Sequence, residues 1–459
     1  MSNNYDVIII GAGPAGIFAA RELSLHSSLK VVLLEKGKTV DKRSCPVNDG
    51  ASTCLNCQPC SIMSGWGGAG AFSDGKLTLT TEFGGWLNDY IGKEKLSELI
   101  DYVDQIYLAN GAPEKLYGNN DEEFERLRQH MAHVGLKLLP AHIRHMGTDN
   151  TLKVLQNLKN NLDKSIEIKT SEIVEDILID GARVQGVKTN KATYYAPRVI
   201  CAPGREGAHW FSEQARKLNI PLSNNQVDIG VRVELPAVTL QNFTDKIYEP
   251  KIVYNTREFD DLVRTFCVNP NGHVVMENTN GIITVNGHSF AESKSNNSNF
   301  ALLLSQEFTE PFNQPIVYGR CIASLANMLS GGIIVQRYGD LKRGRRSTAR
   351  RISKGLVEPT LKAAVPGDLS LVLPHRYMVG IKECLEALDQ VIPGMASDHT
   401  LLYGIEAKFY SARPQLSNHL KTCIDGLWAS GDGAGITRGL IQASVSGVIA
   451  ARDILNDVG

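Results

Sequence analysis

The first part of the chain limits its possible folds more than any other feature. The apolar run Val7–Ile10 leads into Gly11-Ala12-Gly13-Pro14-Ala15-Gly16, and a second apolar run ends at Glu35. Four successive apolar residues predict a strand buried on both faces of a parallel sheet. In the glycine run, the first glycine permits a tight turn, the second lets a phosphate approach the backbone, and the third permits close helix packing. The sequence therefore predicts a strand, turn, helix and second strand that together bind a dinucleotide.

The helix predicted over residues 14–25 and the acidic residue that follows indicate which dinucleotide is bound. A helix that begins in the glycine run directs its amide N–H groups and its positive dipole end at a diphosphate. Glu35 lies at the spacing where a carboxylate accepts both hydroxyls of an adenosine ribose. Because this carboxylate would repel a 2′-phosphate, the expected ligand is FAD or NAD and not NADP.

Length, charge and cysteine content set broader limits. A single core stops growing beyond about 250–300 residues, so a chain of 459 residues is expected to form two lobes. A net charge of −1 gives no overall field that would recruit nucleic acid or a membrane surface. We expect no membrane span, because no apolar run has the required length. Nine cysteines, an odd number, without an export signal favour a reducing, cytoplasmic location.

Two later segments favour FAD over NAD. Residues 173–204 contain the hairpin signal Asp180-Gly181 and end in Ala202-Pro203-Gly204. Residues 426–447 combine an apolar run, Gly431-Asp432-Gly433, and a helix that starts with small residues. This arrangement resembles the glutathione-reductase-type FAD fold, in which the aspartate binds the ribityl chain and the helix start faces the flavin ring. The alternative role for Asp432 is that of a helix-capping carboxylate.

A glycine-rich segment, Gly65–Leu77, narrows the resemblance. Together with Asp228–Glu234 and Gly431–Gly435, it resembles a little-characterised bacterial and archaeal family of FAD-dependent dehydrogenases, and more distantly the geranylgeranyl reductases. Such flavoproteins lack a separate NAD(P)H domain, and this chain likewise has no second strand–GxGxxG–helix unit, since the glycines of Gly65–Gly70 follow no apolar run. The resemblance implies that the glycine-rich loop covers the flavin ring. Glycines suit that position because the backbone must approach a flat ring closely.

The resemblance also implies which residues contact the cofactor. Lys76 is the candidate catalytic residue, and Lys76 and Asp74 are candidates for contacts to the flavin N5/O4 edge or to substrate. A surface salt bridge within the loop is the alternative for both. Besides the first glycine run and Glu35, the predicted cofactor-binding residues are Lys36, Gly70, Ala71, Phe72, Ser73, Val174, Ala202, Gly204, Gly431, Asp432, Gly439, Leu440 and Ile441.

The expected fold class is α/β: a discontinuous glutathione-reductase-type FAD-binding Rossmann domain with a helical insertion and an α+β substrate domain. The predicted FAD-binding domain comprises residues 1–85, 166–222 and 400–459. The predicted helical insertion, 86–165, has apolar periodicity for helices near 96–107, 121–134 and 150–162. The predicted substrate domain, 223–399, alternates strand-like runs with later helices and would form a roof over the flavin, and its polar run 293–299 predicts a loop.

Four cysteines lie close together in the sequence. Cys45, Cys54, Cys57 and Cys60 have C-x8-C-x2-C-x2-C spacing, while the other five are scattered. The overlapping triplet and the adjacent prolines favour an iron–sulfur cluster over zinc, which usually takes two separated C-x2-C pairs. Zinc, and thiols that are free, redox-active or simply packed, are the alternatives. A cluster here could pass single electrons to FAD in place of a nicotinamide domain.

Other polar residues carry weaker signals. Two H-x-x-H pairs, His130/His133 and His142/His145, permit a metal site, but packed or solvated histidines are the simpler interpretation. In the predicted substrate domain the polar candidates, each more easily explained as structural, are His288, Arg320, His375 and Arg376. The basic run 342–351 contains Lys342, Arg343, Arg345, Arg346, Arg350 and Arg351. Such a run is usually a solvated face, although it could hold an anionic partner.

The sequence therefore supports an enzyme: a FAD-dependent oxidoreductase that acts on an unidentified small molecule by hydride transfer at the flavin. Electrons could arrive through the cysteine-bound centre from a one-electron donor protein. The alternative is an RNA-associated flavoprotein that resembles tRNA-modifying flavoenzymes, with the basic run holding phosphates. Balanced net charge and the lack of aromatic residues within that run make nucleic acid the weaker hypothesis.

Overall fold

The structure is a computed structural model of the chain, and it describes residues 3–46, 57–73, 75–118, 121–140, 142–162, 166–247, 249–279, 281–289, 294–308, 311–312, 314–409 and 412–458. Two units share the chain. The first is formed by Met1–Leu116, His142–Asn225 and Ser411–Gly459, and the second by Tyr117–Ala141 and Gln226–Tyr410.

The strands, numbered in chain order, are β1 (Val7–Ile10), β2 (Val31–Glu35), β3 (Lys76–Leu79), β4 (Leu136–Leu139), β5 (His142–His145), β6 (Glu167–Thr170), β7 (Val174–Asp180), β8 (Arg183–Thr189), β9 (Thr193–Tyr195), β10 (Val199–Cys201), β11 (Leu222–Ser223), β12 (Val227–Pro236), β13 (Lys251–Asn255), β14 (Leu262–Asn269), β15 (His273–Thr279), β16 (Ile282–His288), β17 (Asn297–Gln306), β18 (Ile334–Arg337), β19 (Val365–Pro366), β20 (Leu401–Lys408), β21 (Arg413–Pro414) and β22 (Leu427–Ala429). The α-helices are α1 (Pro14–His26), α2 (Leu87–Ile91), α3 (Lys93–Ala109), α4 (Asp121–Ala132), α5 (Thr148–Leu162), α6 (Ala208–Lys217), α7 (Ala237–Thr244), α8 (Pro315–Ser330), α9 (Tyr338–Lys342), α10 (Ala349–Ile352), α11 (His375–Val391) and α12 (Leu440–Val458). Short 3₁₀ helices span Val40–Lys42, Gly68–Phe72, Leu369–Leu371 and Asp432–Ala434.

A five-stranded parallel sheet lies at the centre of the first unit. Its strand order is β22-β10-β1-β2-β6, and every neighbouring pair is parallel. All residues of β1, β2, β10 and β22 are buried, as expected for the continuous apolar runs of strands covered on both faces. The α/β fold class and the strands predicted around the glycine run are confirmed.

Helices α1 and α12 cross at a point of close backbone contact. A Cβ atom added to Gly447 on α12 would lie 1.9 Å from the carbonyl oxygen of Ala15 on α1. Helix α3 packs on the same pair, because Tyr107 lies 5.1 Å from Phe18 between ring centroids and its hydroxyl hydrogen-bonds Ser444 Oγ at 3.0 Å. Helix α1 begins as predicted and extends one residue further, to His26.

Smaller sheets complete the first unit. Strands β7, β8 and β9 form an antiparallel meander, and the predicted hairpin turn contains Gly181 at φ +58°. Strand β3 pairs antiparallel with β5, a pairing that the sequence did not predict. This pairing places Lys76 directly opposite His145.

The second unit is built on an eight-stranded sheet with the order β19-β18-β20-β12-β17-β14-β13-β4. The central strand β12 is buried despite its polar residues, because Arg232 donates to both carboxylate oxygens of Glu406 at 2.7 and 2.8 Å. Strand β17 begins at Asn297 and its first residues are buried, so the prediction of a loop over 293–299 is wrong for residues 297–299.

The two units divide the chain differently from the predicted boundaries. The predicted insertion 86–165 is shared: α2, α3 and α5 belong to the first unit, while α4 and β4 belong to the second. Strand β4 does so because it pairs with β13 along four residues. All three helices predicted within 86–165 are present. Among the described residues, we find no helix that is both long and apolar enough to cross a membrane.

Candidate cofactor site

The three glycines of the first turn play different parts. Gly11 has φ +96°, and a Cβ atom there would lie 2.2 Å from the carbonyl oxygen of Ala202. A Cβ atom on Gly16 would lie 1.9 Å from the carbonyl oxygen of Gly11. Gly13, by contrast, has an ordinary φ of −76°, and a Cβ atom on it would meet nothing within 4 Å. Two glycines therefore serve packing, and Gly13 borders open space at the start of α1.

Glu35, at the end of β2, is bound by backbone amides. Its Oε2 atom accepts the N–H of Ala12 at 2.8 Å, and its Oε1 atom accepts those of Gly37 at 2.8 Å and Gly65 at 2.9 Å. An ionised carboxylate has about four acceptor sites, so about one remains, on Oε2. In this conformation Glu35 can therefore accept a hydrogen bond from one further donor. The sequence predicted that it would accept both ribose hydroxyls.

The glycine-rich loop lies directly on the first turn. The N–H of Gly67 donates to the carbonyl of Ala12 at 2.8 Å, and a Cβ atom on Gly68 would lie 3.2 Å from Gly13 Cα. Further along the loop, a Cβ atom on Gly70 would lie 2.5 Å from Leu440 Cδ2, at the start of α12. The loop thus contacts the beginnings of both α1 and α12.

The loop's own side chains anchor it to the core. Trp66 is fully buried, and its indole N–H donates to the carbonyl of Leu155 at 2.9 Å. Ala71 is buried. Ser73 Oγ donates to the carbonyl of Gly70 at 2.8 Å, which closes the 3₁₀ turn.

Arg43 organises the same loop, and the sequence analysis did not identify it. Its Nε donates to the carbonyl of Ser61 at 2.8 Å and Nη2 to that of Ile62 at 2.8 Å, while Nη1 donates to those of Trp66 at 2.7 Å and Gly68 at 2.9 Å. Burial lowers the pKa of the Arg43 guanidinium to about 10, so it stays charged at neutral pH. Since its partners are backbone atoms, no pattern of residue types could have revealed this role.

Lys36, predicted to contact the cofactor, forms an ion pair with Glu206. Burial lowers the pKa of the Lys36 ammonium, and the nearby Glu35 carboxylate partly opposes that shift. Glu206 also accepts the hydroxyl of Ser64 at 3.2 Å, so this pair connects the end of β2 to the glycine-rich loop.

The turns after β10 and β22 lie at the same edge of the sheet as the glycine run. The N–H of Ala202 donates to the carbonyl of Ile10 at 2.8 Å. A Cβ atom on Gly433 would lie 2.2 Å from the carbonyl oxygen of Gly204, and one on Gly431 would lie 3.2 Å from Ala15 Cβ. The carboxyl ends of β1, β10 and β22 therefore converge, as expected for neighbouring parallel strands.

Asp432 closes the turn that leads into α12. Its carboxylate accepts the Thr437 hydroxyl at 2.8 Å and lies 3.9 Å from Arg205 Nε, with a long contact of 3.4 Å to the N–H of Gly439. Burial raises the pKa of the Asp432 carboxyl, and Arg205 and Thr437 only partly offset this effect. Leu440 and Ile441 follow in the first turn of α12, and Ile441 is buried.

These turns leave room for an extended ligand. A Cβ atom on Gly13, Gly204 or Gly439 would meet nothing within 4 Å, although the neighbouring glycines are tightly packed. The N-terminal amides of two long helices, α1 and α12, also lie in these turns. Open backbone beside helix N-termini suits a diphosphate, so the residues present fit a dinucleotide.

Some predicted residues are placed without a clear role. Lys76 is half-buried in β3. Val174 is buried at the start of β7, and Phe72 lies with its ring centroid 4.8 Å from the Arg43 guanidinium. Asp74 lies outside the described residues.

The structure gives no support for the cysteine-bound metal. Cys45 and Cys60 are half-buried and Cys57 is exposed, while Cys54 lies outside the described residues. Within the described ranges, no group of three or more His, Cys, Asp or Glu side chains could hold a metal ion. The predicted histidine pairs fall in different units, His130 and His133 in the second and His142 and His145 in the first.

In the second unit, most of the basic run is paired with carboxylates. Lys342 and Arg343 contact Asp398 at 2.8 and 2.7 Å, and Arg345 donates to Asp340 at 2.8 Å. Arg351 Nε lies 3.9 Å from the same Asp340 carboxylate. Four of the six basic residues therefore face acidic partners within the chain.

Of the four polar candidates in the second unit, Arg376 pairs with Asp261, its Nη2 at 2.6 Å from Oδ1. The His375 ring packs edge-on against Phe259, with the ring centroids 6.3 Å apart. His288 ends β16 opposite His273, and Arg320 lies on α8. The first two are thus engaged in structural contacts.

Residues 226–409 match the family model described as "FAD-dependent protein, C-terminal domain-like", which nearly coincides with the second unit. An uncharacterized protein of Clostridium beijerinckii is 28% identical over 477 aligned residues, covering 98% of this chain and 80% of its own. The family match over residues 226–409 confirms the resemblance to FAD-dependent proteins.

Two solved structures align over most of the chain at low overall similarity. The L-proline dehydrogenase of P. horikoshii has a TM-score of 0.40 and 11% identity, and the alignment covers 100% of this chain and 95% of that one. The glycine oxidase of Geobacillus kaustophilus has a TM-score of 0.39 and 13% identity, covering 99% and 95%.

Proposed function

We propose that the chain is a dehydrogenase or reductase that holds FAD along the carboxyl edge of its parallel sheet and transfers a hydride between the flavin and a small molecule. The observation that carries this proposal is the contrast among the glycines. Gly11, Gly16 and Gly433 are occluded by backbone, whereas Gly13, Gly204 and Gly439 face open space in the turns at that edge.

The residues that would hold FAD follow from these turns. The diphosphate would lie at Gly13 and the amides of α1, and Glu35 Oε2 retains an acceptor for one ribose hydroxyl. Asp432 would accept from the ribityl chain. The glycine-rich loop would cover the ring, because it already lies on Gly13 at one end and on Leu440 at the other.

When bound, FAD supplies hydride transfer at its N5 atom. The chain's own part is to position the flavin and to stabilise charge near it. The N-terminal amides and dipole of α12 would stabilise negative charge on the flavin ring. Lys76, half-buried in β3 after the loop, is our candidate for contact with substrate or with the flavin edge.

The test is an anaerobic titration of the purified holoprotein with a panel of small oxidisable and reducible compounds, followed by flavin absorbance. We expect at least one compound to reduce or reoxidise the bound flavin faster than it does free FAD. K76Q should retain FAD but change that rate, whereas K153Q, at an exposed position on α5, should not. Bound flavin that reacts no faster than free FAD with every compound would contradict a catalytic role.

A further inference from the structure

The buried Arg43 side chain stands out among the charged groups of the first unit, because its hydrogen-bond partners are backbone carbonyls. Only 6% of the residue is exposed, and the guanidinium donates to four carbonyl oxygens. Elsewhere in this unit, the comparably buried Arg144 pairs with a carboxylate, that of Asp104, at 2.9 and 2.7 Å. The carbonyl dipoles of one loop therefore stabilise the buried charge of Arg43, and Arg43 in turn supplies hydrogen-bond donors to those carbonyls.

The four carbonyls come from two neighbouring stretches of the loop. Ser61 and Ile62 follow the cysteine segment, while Trp66 and Gly68 belong to the glycine-rich loop. Without the guanidinium, these converging oxygens would lose their donors inside a largely buried region. Arg43 therefore stabilises the observed loop conformation, together with the hydrogen bonds that Gly65 and Trp66 donate to Glu35 and Leu155.

Gly65 makes the arrangement possible. A Cβ atom on Gly65 would lie 2.6 Å from Arg43 Cδ and 2.6 Å from the carbonyl oxygen of Lys38, so any larger residue would displace the arginine, the backbone at Lys38 or both. Gly65 has φ +123° and its N–H donates to Glu35 Oε1. The same residue thus makes room for the arginine and ties the loop to the end of β2.

The fixed loop in turn contacts the first turn. Gly67 donates to the carbonyl of Ala12, and Gly68, whose carbonyl is bound by Arg43, lies against Gly13. The guanidinium therefore acts through the loop on the residues that would meet the diphosphate.

We infer that Arg43 is the positioning residue for the cofactor-covering loop: it holds Ser61–Gly68 against the first turn and thereby sets the affinity for FAD. This inference rests on the proposed FAD site. It requires arginine specifically, because a guanidinium presents five N–H groups in a rigid fork. A lysine has three donors at one point and cannot reach carbonyls on several sides.

The experiment measures the dissociation constant for FAD by flavin fluorescence in wild type, R43K, R43A and the matched control R144K. Misplacement of a contact by about 1 Å can cost about a hundredfold in function, and we expect R43K to weaken FAD binding at least about tenfold. R144K alters an equally buried arginine whose side-chain hydrogen bonds go to Asp104, Pro113 and Glu114, outside Ser61–Gly68, and it should retain wild-type affinity. Ethylguanidinium should restore FAD binding to R43A, and ethylammonium at the same concentration should not.

Wild-type affinity in R43K would overturn the inference, and so would an equal loss in R144K or equal rescue by both cations. If R43K is insoluble, G65A in the otherwise unchanged chain tests the same contact, and unaltered FAD affinity there would also overturn it. Failure of the wild type to bind FAD would instead refute the proposed function, so the two failures are distinguishable.

Discussion

Gly13 and Gly68 lie against each other: a Cβ atom on Gly68 would be 3.2 Å from Gly13 Cα. One glycine belongs to the turn after β1 and the other to the loop predicted to cover the flavin. Since Gly13 otherwise faces open space, the loop forms one wall of the space that we assign to the diphosphate.

This contact predicts that G68A weakens FAD binding more than it destabilises the fold. Gly68 has φ +60°, so alanine also introduces left-handed strain, a cost of about 1–2 kcal/mol. Gly181, at φ +58° in a hairpin turn with nothing within 4 Å of its Cβ position, provides a control with matched strain. G181A should lower the thermal midpoint as much as G68A but leave the FAD dissociation constant unchanged. Equal FAD affinity in the two variants would contradict the assignment of the loop.

The raised pKa of Asp432 predicts how the stability of the protein depends on pH. Burial raises its pKa in the folded protein above the ordinary value of 3.8, so the folded state binds this proton more tightly than the unfolded state. The stability that this protonation contributes is fully present below pH 3.8, the ordinary pKa, and is lost as pH rises through the higher pKa of the folded state. The thermal midpoint of D432N relative to wild type should therefore increase as pH rises across that range.

Asp425 provides a control in which the pH dependence of stability has the opposite sign, since its pKa is lowered, chiefly by its hydrogen bond from Lys421. Its contribution to stability is present above the unfolded pKa and is lost as pH falls, and solvent screening keeps it small.

D432N should also lower flavin occupancy, because the ribityl chain would lose a charged acceptor. A D432N protein with unchanged flavin occupancy and pH profile would show that Asp432 only closes its turn and does not bind the cofactor.

The basic run should stabilise its unit and not bind RNA. Arg345 donates to the buried carboxylate of Asp340, whereas within the described chain no ion pair is found for Arg346. R345A should therefore lower the thermal midpoint and R346A should not. Filter binding at low salt should detect no RNA retained by wild type. Salt-sensitive RNA binding that R346A abolishes would favour the RNA-associated alternative.

The cysteine segment remains a prediction from sequence. If Cys45, Cys54, Cys57 and Cys60 ligate one centre, anaerobically purified protein should contain iron and sulfide, and each Cys→Ser change should reduce their content while FAD remains. C423S, at an exposed cysteine elsewhere in the first unit, should have no effect. Zinc in place of iron would make the site structural, and protein free of both metals would exclude a metal centre.

Sequence alone predicted the features whose signals are local. The run at Gly11–Gly16 specifies strand, turn and helix within a few residues, and its packing glycines fall where expected. Arg43 escaped notice because its partners are carbonyls 18 to 25 residues away, which any residue type can supply. Asn297–Asn299 seemed a polar loop, yet they are buried, because partners such as Arg232, which donates to Asn299 at 2.8 Å, lie on other strands.

The most direct measurement is the FAD content of G13V beside that of G16A. Gly13 has an ordinary φ and open space around its Cβ position, so valine should cost the flavin-free protein only the small loss of a glycine helix cap, while its side chain occupies the diphosphate position. Alanine at Gly16 would place a Cβ atom 1.9 Å from the carbonyl oxygen of Gly11, so G16A should destabilise the fold itself. We predict a folded G13V protein without FAD. A folded G13V protein that retains FAD at the wild-type level would contradict the assignment of this turn as the cofactor site.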